Sequence, residues 1–221
     1  LPVPVLSQAR AAPQVPDQFT LEPNAIVDVA WDQVRLLPLD GKRPGPWLQL
    51  PQPPGFAELV DGGRHIALTI GPRLELYDAH SLRRAAASEL PNTTEHFATD
   101  RAGHRIALVF GGSDVDGFEE QVLLFDARSG KQLPGEARMP GPLRRLQFSA
   151  DGTRLLTVGS TEGSTQVFAV DTLKPLGEYP HDPYQPVLWA DFDAGGKQLR
   201  LVTRAADARL GGNSVVSWDI A

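Results

Sequence analysis

From Gly55 onward the chain alternates short apolar runs with polar, glycine-bearing turns, and the order of the runs repeats. GFAELV at 55–60, HIALTIG at 65–71 and RLELYD at 73–78 form one unit. EHFATD at 95–100, RIALVFG at 105–111 and EEQVLLFD at 119–126 form the next. Two more follow: RRLQFSA at 144–150, RLLTVGS at 154–160 and STQVFAVD at 164–171, then VLWADFD at 187–193, QLRLVTR at 198–204 and SVVSWDI at 214–220. Val, Ile, Leu, Phe and Thr fill the runs, as strands packed on neighbouring sheets require. Asp61-Gly62-Gly63, Gly103, Asp151-Gly152 and Gly195-Gly196 lie between the first two runs of each unit and supply the positive φ of tight hairpin turns. The runs before each closing aspartate are apolar on both faces, which suits a sheet covered on both sides. His80–Leu90 (HSLRRAAASEL) contains good helix formers with Ser81 as a cap, but its shortness favours a brief turn followed by an outer strand.

Each unit closes on an apolar residue plus aspartate: Leu39-Asp40, Tyr77-Asp78, Phe125-Asp126, Val170-Asp171 and Trp218-Asp219. These aspartates lie 38, 48, 45 and 48 positions apart, the period of a four-stranded propeller blade. The expected fold class is therefore all-β: a β-propeller of antiparallel blades over residues 24–221, four of them complete and the first partial. AIVDVAW at 25–31 and QVRLLPLD at 33–40 read as two middle strands with no inner strand before them. The last unit has no outer strand after Trp218-Asp219. Residues 1–23, with five prolines, read as an extended arm holding at most one edge strand. The chain starts at Leu1, which predicts a processed chain or an excised piece.

Phe148-Ser149-Ala150-Asp151-Gly152 followed by Val167–Asp171, Phe125-Asp126-Ala127-Arg128-Ser129-Gly130 and the terminal Trp218-Asp219 resemble the WD-repeat β-propeller family in a divergent, bacterial-type form. The departures are specific. No Gly-His pair precedes an inner strand, so the family's buried Asp-His-Ser-Trp network cannot be assembled in full. Only Trp218 holds the tryptophan position, with Tyr77, Phe125 and Val170 in the equivalent apolar place. The resemblance implies a ring of six to eight blades, and so a second chain or segment that completes it.

Composition narrows the function. A formal charge of −6 with arginines scattered among acids offers no basic surface, so nucleic acid is not an expected partner. No apolar run approaches the roughly 18 residues of a membrane span. The absence of cysteine removes disulfides, thiolate chemistry and cysteine-ligated zinc while leaving the compartment open, with the cytoplasm ahead of a periplasmic or extracellular setting.

The closing aspartates recur at one structural position and read as scaffold, accepting bonds from turn amides. The candidate binding residues are elsewhere. Asp114, Asp116, Glu119 and Glu120 lie in the longest insertion, GGSDVDGFEE at 111–120; Asp207 and Arg209 lie in the matching loop AADARLGGN at 205–213. These second-to-third-strand loops emerge on one face, where a rigid scaffold displays contact residues. Asp-Val-Asp-Gly matches part of a calcium loop but lacks its remaining spaced ligands, so no metal is expected. Tyr184, with His181 and Trp189, forms an aromatic connection suited to an interface anchor; Trp189 itself is expected to pack between blades under Tyr184. The five histidines lack metal spacing, no serine sits in a nucleophile elbow, and no glycine-rich phosphate loop precedes a helix. No catalytic residue and no cofactor are expected.

The leading expectation is a non-catalytic interaction scaffold or sensor propeller that binds a protein or peptide through its loop face. The alternative is a propeller hydrolase or lyase with carboxylates at the central channel. Its candidates Glu58, Glu95 and Asp191 do not align in one repeat position by sequence.

Overall fold

A computed structural model describes residues 25–111, 119–160, 164–179, 186–204 and 212–220. They form five antiparallel sheets, each built from consecutive strands. Blade 1 contains β1 (Ala25–Ala30), β2 (Gln33–Pro38) and β3 (Leu48–Gln49). Blade 2 contains β4 (Phe56–Val60), β5 (His65–Thr69), β6 (Arg73–Asp78) and β7 (Arg84–Glu89), so the His80–Leu90 stretch does supply an outer strand. Blade 3 contains β8 (Thr94–Thr99), β9 (Arg105–Gly111), β10 (Glu119–Asp126) and β11 (Ala137–Pro140). Blade 4 contains β12 (Leu143–Phe148), β13 (Arg154–Gly159), β14 (Thr165–Ala169) and β15 (Pro175–Tyr179). Blade 5 contains β16 (Val187–Phe192), β17 (Gln198–Arg204) and β18 (Asn213–Asp219).

The phase of blade 1 follows from its hydrogen bonds. The Leu50 N–H donates to Asp32 O just before β2, as the Leu90 N–H donates to Pro72 O just before β6. In the same register, Gln33 pairs with Gln49 and Arg73 with Glu89. β1, β2 and β3 are thus the second, third and fourth strands of a blade, and the described residues contain no inner strand for it. Blade 5 has the opposite deficit: β16, β17 and β18 are its first three strands, with no outer strand among the described residues.

Register also re-places two of the closing aspartates. Ile66 pairs with Tyr77, Ile106 with Phe125 and Leu199 with Trp218, each followed by its aspartate. The matching pairs elsewhere are Ile26 with Leu37 and Leu155 with Phe168. Pro38 and Ala169 therefore hold the aspartate position, and Asp40 and Asp171 fall two residues beyond it. Phe168, not Val170, is the aromatic equivalent in blade 4. Asp78 and Asp126 do the expected work: each Oδ1 accepts the backbone N–H and the hydroxyl of Ser81 or Ser129, which closes the turn and holds the carboxyl below its usual pKa.

Four apolar cores join the blades in sequence. Val34 and Leu50 meet Ile66 and Leu68; Leu74 and Leu76 meet Ile106 and Phe125; Val122 and Leu124 meet Leu155 and Phe168; Leu156 and Val167 meet Leu199 and Leu201. No such core joins blade 5 to blade 1 among the described residues. The described residues form an open arc. Burial of these aliphatic side chains, at roughly 1.5–3 kcal/mol each, is the main force that holds neighbouring sheets together.

Candidate functional site

Of the candidate binding residues, Asp114, Asp116, Tyr184, Asp207 and Arg209 lie outside the described residues, as do His181 and the arm at 1–23. Glu119 and Glu120 begin β10, and they part company. Glu119 is exposed and faces Arg138 at 3.7 Å. Glu120 is only 2% exposed, with Oε2 accepting the Leu143 N–H at 2.9 Å. It is thus unavailable at the loop surface. The carbonyl of the same Leu143 accepts a bond from His96 Nε2 at 3.0 Å, so blade 3 satisfies both backbone groups that open the inner strand of blade 4.

Burial raises the Glu120 carboxyl and lowers the His96 imidazole from their usual pKa values. Both shifts fit side chains enclosed for structure. Glu120→Ala would leave the Leu143 N–H without an acceptor and is expected to cost about 1–2 kcal/mol, whereas Glu120→Gln keeps the acceptor and costs little. Urea denaturation of the two variants separates these outcomes.

The inner strands carry a polar belt that turn lengths conceal in the sequence. Glu58 pairs with Ala67, Gln147 with Leu156 and Asp191 with Arg200, each one step along from the aligned Ile66, Leu155 and Leu199 positions. Glu58, Gln147 and Asp191 therefore share a repeat position, contrary to the sequence expectation for Glu58 and Asp191. Glu95 stays outside it, at a bulge between Thr94 and His96.

Each belt acid is held by a neighbouring blade. The Thr99 hydroxyl donates to Glu58 Oε1 at 2.9 Å. Gln147 Nε2 donates to Asp191 Oδ1 at 2.7 Å, and Arg145 approaches Asp191 Oδ2 at 3.9 Å. Burial lifts the Glu58 pKa from an ordinary 4.5 to about 7, the Thr99 bond opposing it. Trp189 does not pack between blades as expected. It is partly exposed on β16, with the Arg145 guanidinium 5.4 Å from its ring centroid. It shares a repeat position with His96 and Arg145, each of which follows the same irregularity in its inner strand.

On the end of the arc opposite the 111–120 loop, the turns between first and second strands interlock. Arg105 Nη1 donates to Gly152 O at 3.1 Å, and Arg154 Nη1 donates likewise to Gly196 O. Each guanidinium reaches from the start of one blade's second strand to the turn glycine of the next. The described residues contain no group of three or more His, Cys, Asp or Glu side chains arranged to hold a metal ion.

No protein-family model and no curated protein matches the chain. Solved structures do match it in fold. One is the crystal structure of the Cps50 (Swd1) β-propeller domain of Myceliophteria thermophila, with a TM-score of 0.57 and 14% sequence identity, covering 82% of this chain and 59% of that one. This chain is a β-propeller arc, and it spans less than two thirds of the length of that domain.

Proposed function

We propose that the arc is a non-catalytic, WD-like interaction scaffold whose partner is a propeller segment, in a second chain or a further part of the same protein, that completes the ring. The carrying observation is a contrast between equivalent positions. Ile66, Ile106, Leu155 and Leu199 are fully buried against the preceding blade, while Ile26, in the same register, is 48% exposed. Leu74 and Val122 are fully buried against the following blade, while Val215, their equivalent in β18, is 72% exposed. Trp31, at 78%, adds to the uncovered apolar surface of blade 1.

Among the described residues β1 and β18 each also present an unpaired strand edge, which favours addition of a strand. The deficits dictate the phase of the partner: its first strand is the outer strand of blade 5 and its last is the inner strand of blade 1. The chain's 59% coverage of a propeller domain leaves room for such a segment.

The competing reading, a channel hydrolase or lyase, draws on Glu58 and Asp191 sharing a repeat position. Their tight bonds to Thr99 and Gln147 support a structural role instead. The test is native mass spectrometry of material purified from its source, with sequencing of every co-purifying chain and amide exchange across β1 and β18. A blade-containing partner segment is expected, released by Ile26→Asp or Val215→Asp without loss of fold. A lone chain whose β1 and β18 edges are protected from exchange would overturn the proposal.

A further inference from the structure

One turn breaks the interlocking pattern. The turns between first and second strands are equal in length, with Leu59–Ile66, Thr99–Ile106, Phe148–Leu155 and Phe192–Leu199 as matching pairs, so Val60 stands where Asp100, Ser149 and Asp193 stand. In blades 3, 4 and 5 that residue folds back on the backbone: Asp100 Oδ1 accepts the His104 and Arg105 N–H groups, Ser149 Oγ the Arg154 N–H, and Asp193 Oδ1 the Lys197 and Gln198 N–H groups.

Val60 offers no such acceptor, and Asp61, one residue on at the place of Arg101, Ala150 and Ala194, brings a carboxylate that the other turns lack. The Asp61 backbone sits at φ +51°, and its N–H donates at 2.6 Å to Gly103 O, the carbonyl that a guanidinium would take by analogy with Gly152 and Gly196. His65 stands where Arg105 and Arg154 stand in the next two blades.

The consequence is a carboxylate whose Oδ2 lacks a hydrogen bond. The Asp61 side chain is only 8% exposed, and its Oδ2 has no hydrogen-bond partner among the described residues. His65 Nδ1, 3.4 Å away, is equally without one. Both line a cavity of about 570 Å³ with Asp78, His80, Arg64 and Arg128. An enclosed carboxylate oxygen that has His65 and Arg64 nearby but no hydrogen bond is costly, and a bidentate guanidinium satisfies it best.

We infer that this cavity binds an arginine side chain of a partner polypeptide, the group that the repeat supplies internally in blades 3 and 4 and omits in blade 2. Asp61 takes the guanidinium. Arg64, whose side chain is 72% exposed and only 4.0 Å from Asp61, swings to the rim beside the exposed Arg128, where the two pair with an acidic residue next to the inserted arginine. Asp78 supplies a second negative charge while its Oδ1 caps the turn at Ser81. The recognised motif is therefore arginine followed or preceded by Asp or Glu. The inference rests on the interaction reading but uses a different surface from the open ends, so either can fail alone.

Calorimetric titration of the full chain with blocked Gly-Arg-Glu-Gly, Gly-Lys-Glu-Gly and Gly-Gly-Glu-Gly peptides, and with inorganic phosphate, tests it. Binding of the arginine peptide at least tenfold tighter than any other probe is expected. Asp61→Asn is expected to weaken it tenfold or more. His65→Arg, which restores the residue used at Arg105 and Arg154, should abolish it by placing the chain's own guanidinium in the cavity. Circular dichroism of both variants checks that the fold persists. Binding of phosphate or of the glycine peptide as tightly as the arginine peptide, undiminished binding in folded Asp61→Asn or His65→Arg, or no binding of the arginine peptide would each overturn the inference. None of these results bears on completion of the ring.

Discussion

Replacing Glu58 by Gln is expected to stabilise the folded chain by about 3 kcal/mol at pH 8 and to change little below about pH 4. Folding raises the Glu58 carboxyl from 4.5 to about 7 because the inner strand and the neighbouring blade strip water from it. Between those values the folded chain holds a proton that the unfolded chain has lost. Stability from this group is thus fully present below the unfolded pKa and is lost as pH rises through the folded one. Glutamine keeps the acceptor for the Thr99 hydroxyl and carries no charge, so the variant lacks that decline. Urea denaturation at pH 4, 6 and 8 gives the answer directly, and parallel pH dependences for the two proteins would refute the assignment.

The reason sequence reading missed Glu58 as one of a set is geometric. Strand order, strand type and most strand limits were legible, because Val, Ile and Leu runs between Asp-Gly and Gly-Gly turns leave few other folds for the chain. The place of β1 and β2 as second and third strands was legible too, since AIVDVAW and QVRLLPLD match such strands in composition. Equivalence between blades is set by cross-strand pairing, however, and turn length shifts it. Counted back from the closing aspartates, Glu58 lies 20 residues before Asp78 and Asp191 28 before Asp219, because three residues (70–72) join second and third strands in blade 2 and eight (205–212) in blade 5, while the sheet puts the two acids in step.

Pro38 and Ala169 were hidden because Asp40 and Asp171, two residues further on, also follow an apolar residue and are the more conspicuous signal. The outer strands β3, β11 and β15 carried little signal because they are short, carry Pro or Gly in or beside them, and are wet along one edge, so apolar periodicity hardly marks them. Glu120 was misread for another reason. Its partner is a backbone amide 23 residues away, and no local pattern reports that contact.

Trp218→Ala is expected to cost about 3 kcal/mol and to loosen blade 5 while leaving blades 2 and 3 intact. Trp218 is the one residue that fills the tryptophan position, and the structure shows what its bulk does. The indole crosses from β18 to blade 4 and lies over Gly177 of β15, where an added Cβ would stand 2.9 Å from Cζ2; Tyr179 flanks it with ring centroids 6.0 Å apart. A ring seated on a bare glycine clamps blade 5 to blade 4. Gly177→Ala should therefore act in the same direction, because the methyl group meets the indole rather than a yielding chain end.

Since each blade packs only on its neighbours, the loss stays local. Amide exchange is expected to accelerate in β17 and β18 of either variant, with β5 and β9 unchanged from the parent. Uniform acceleration through all five blades would mean that the arc unfolds as one cooperative unit. The clamp at Trp218 would then stabilise the whole arc rather than secure its open end.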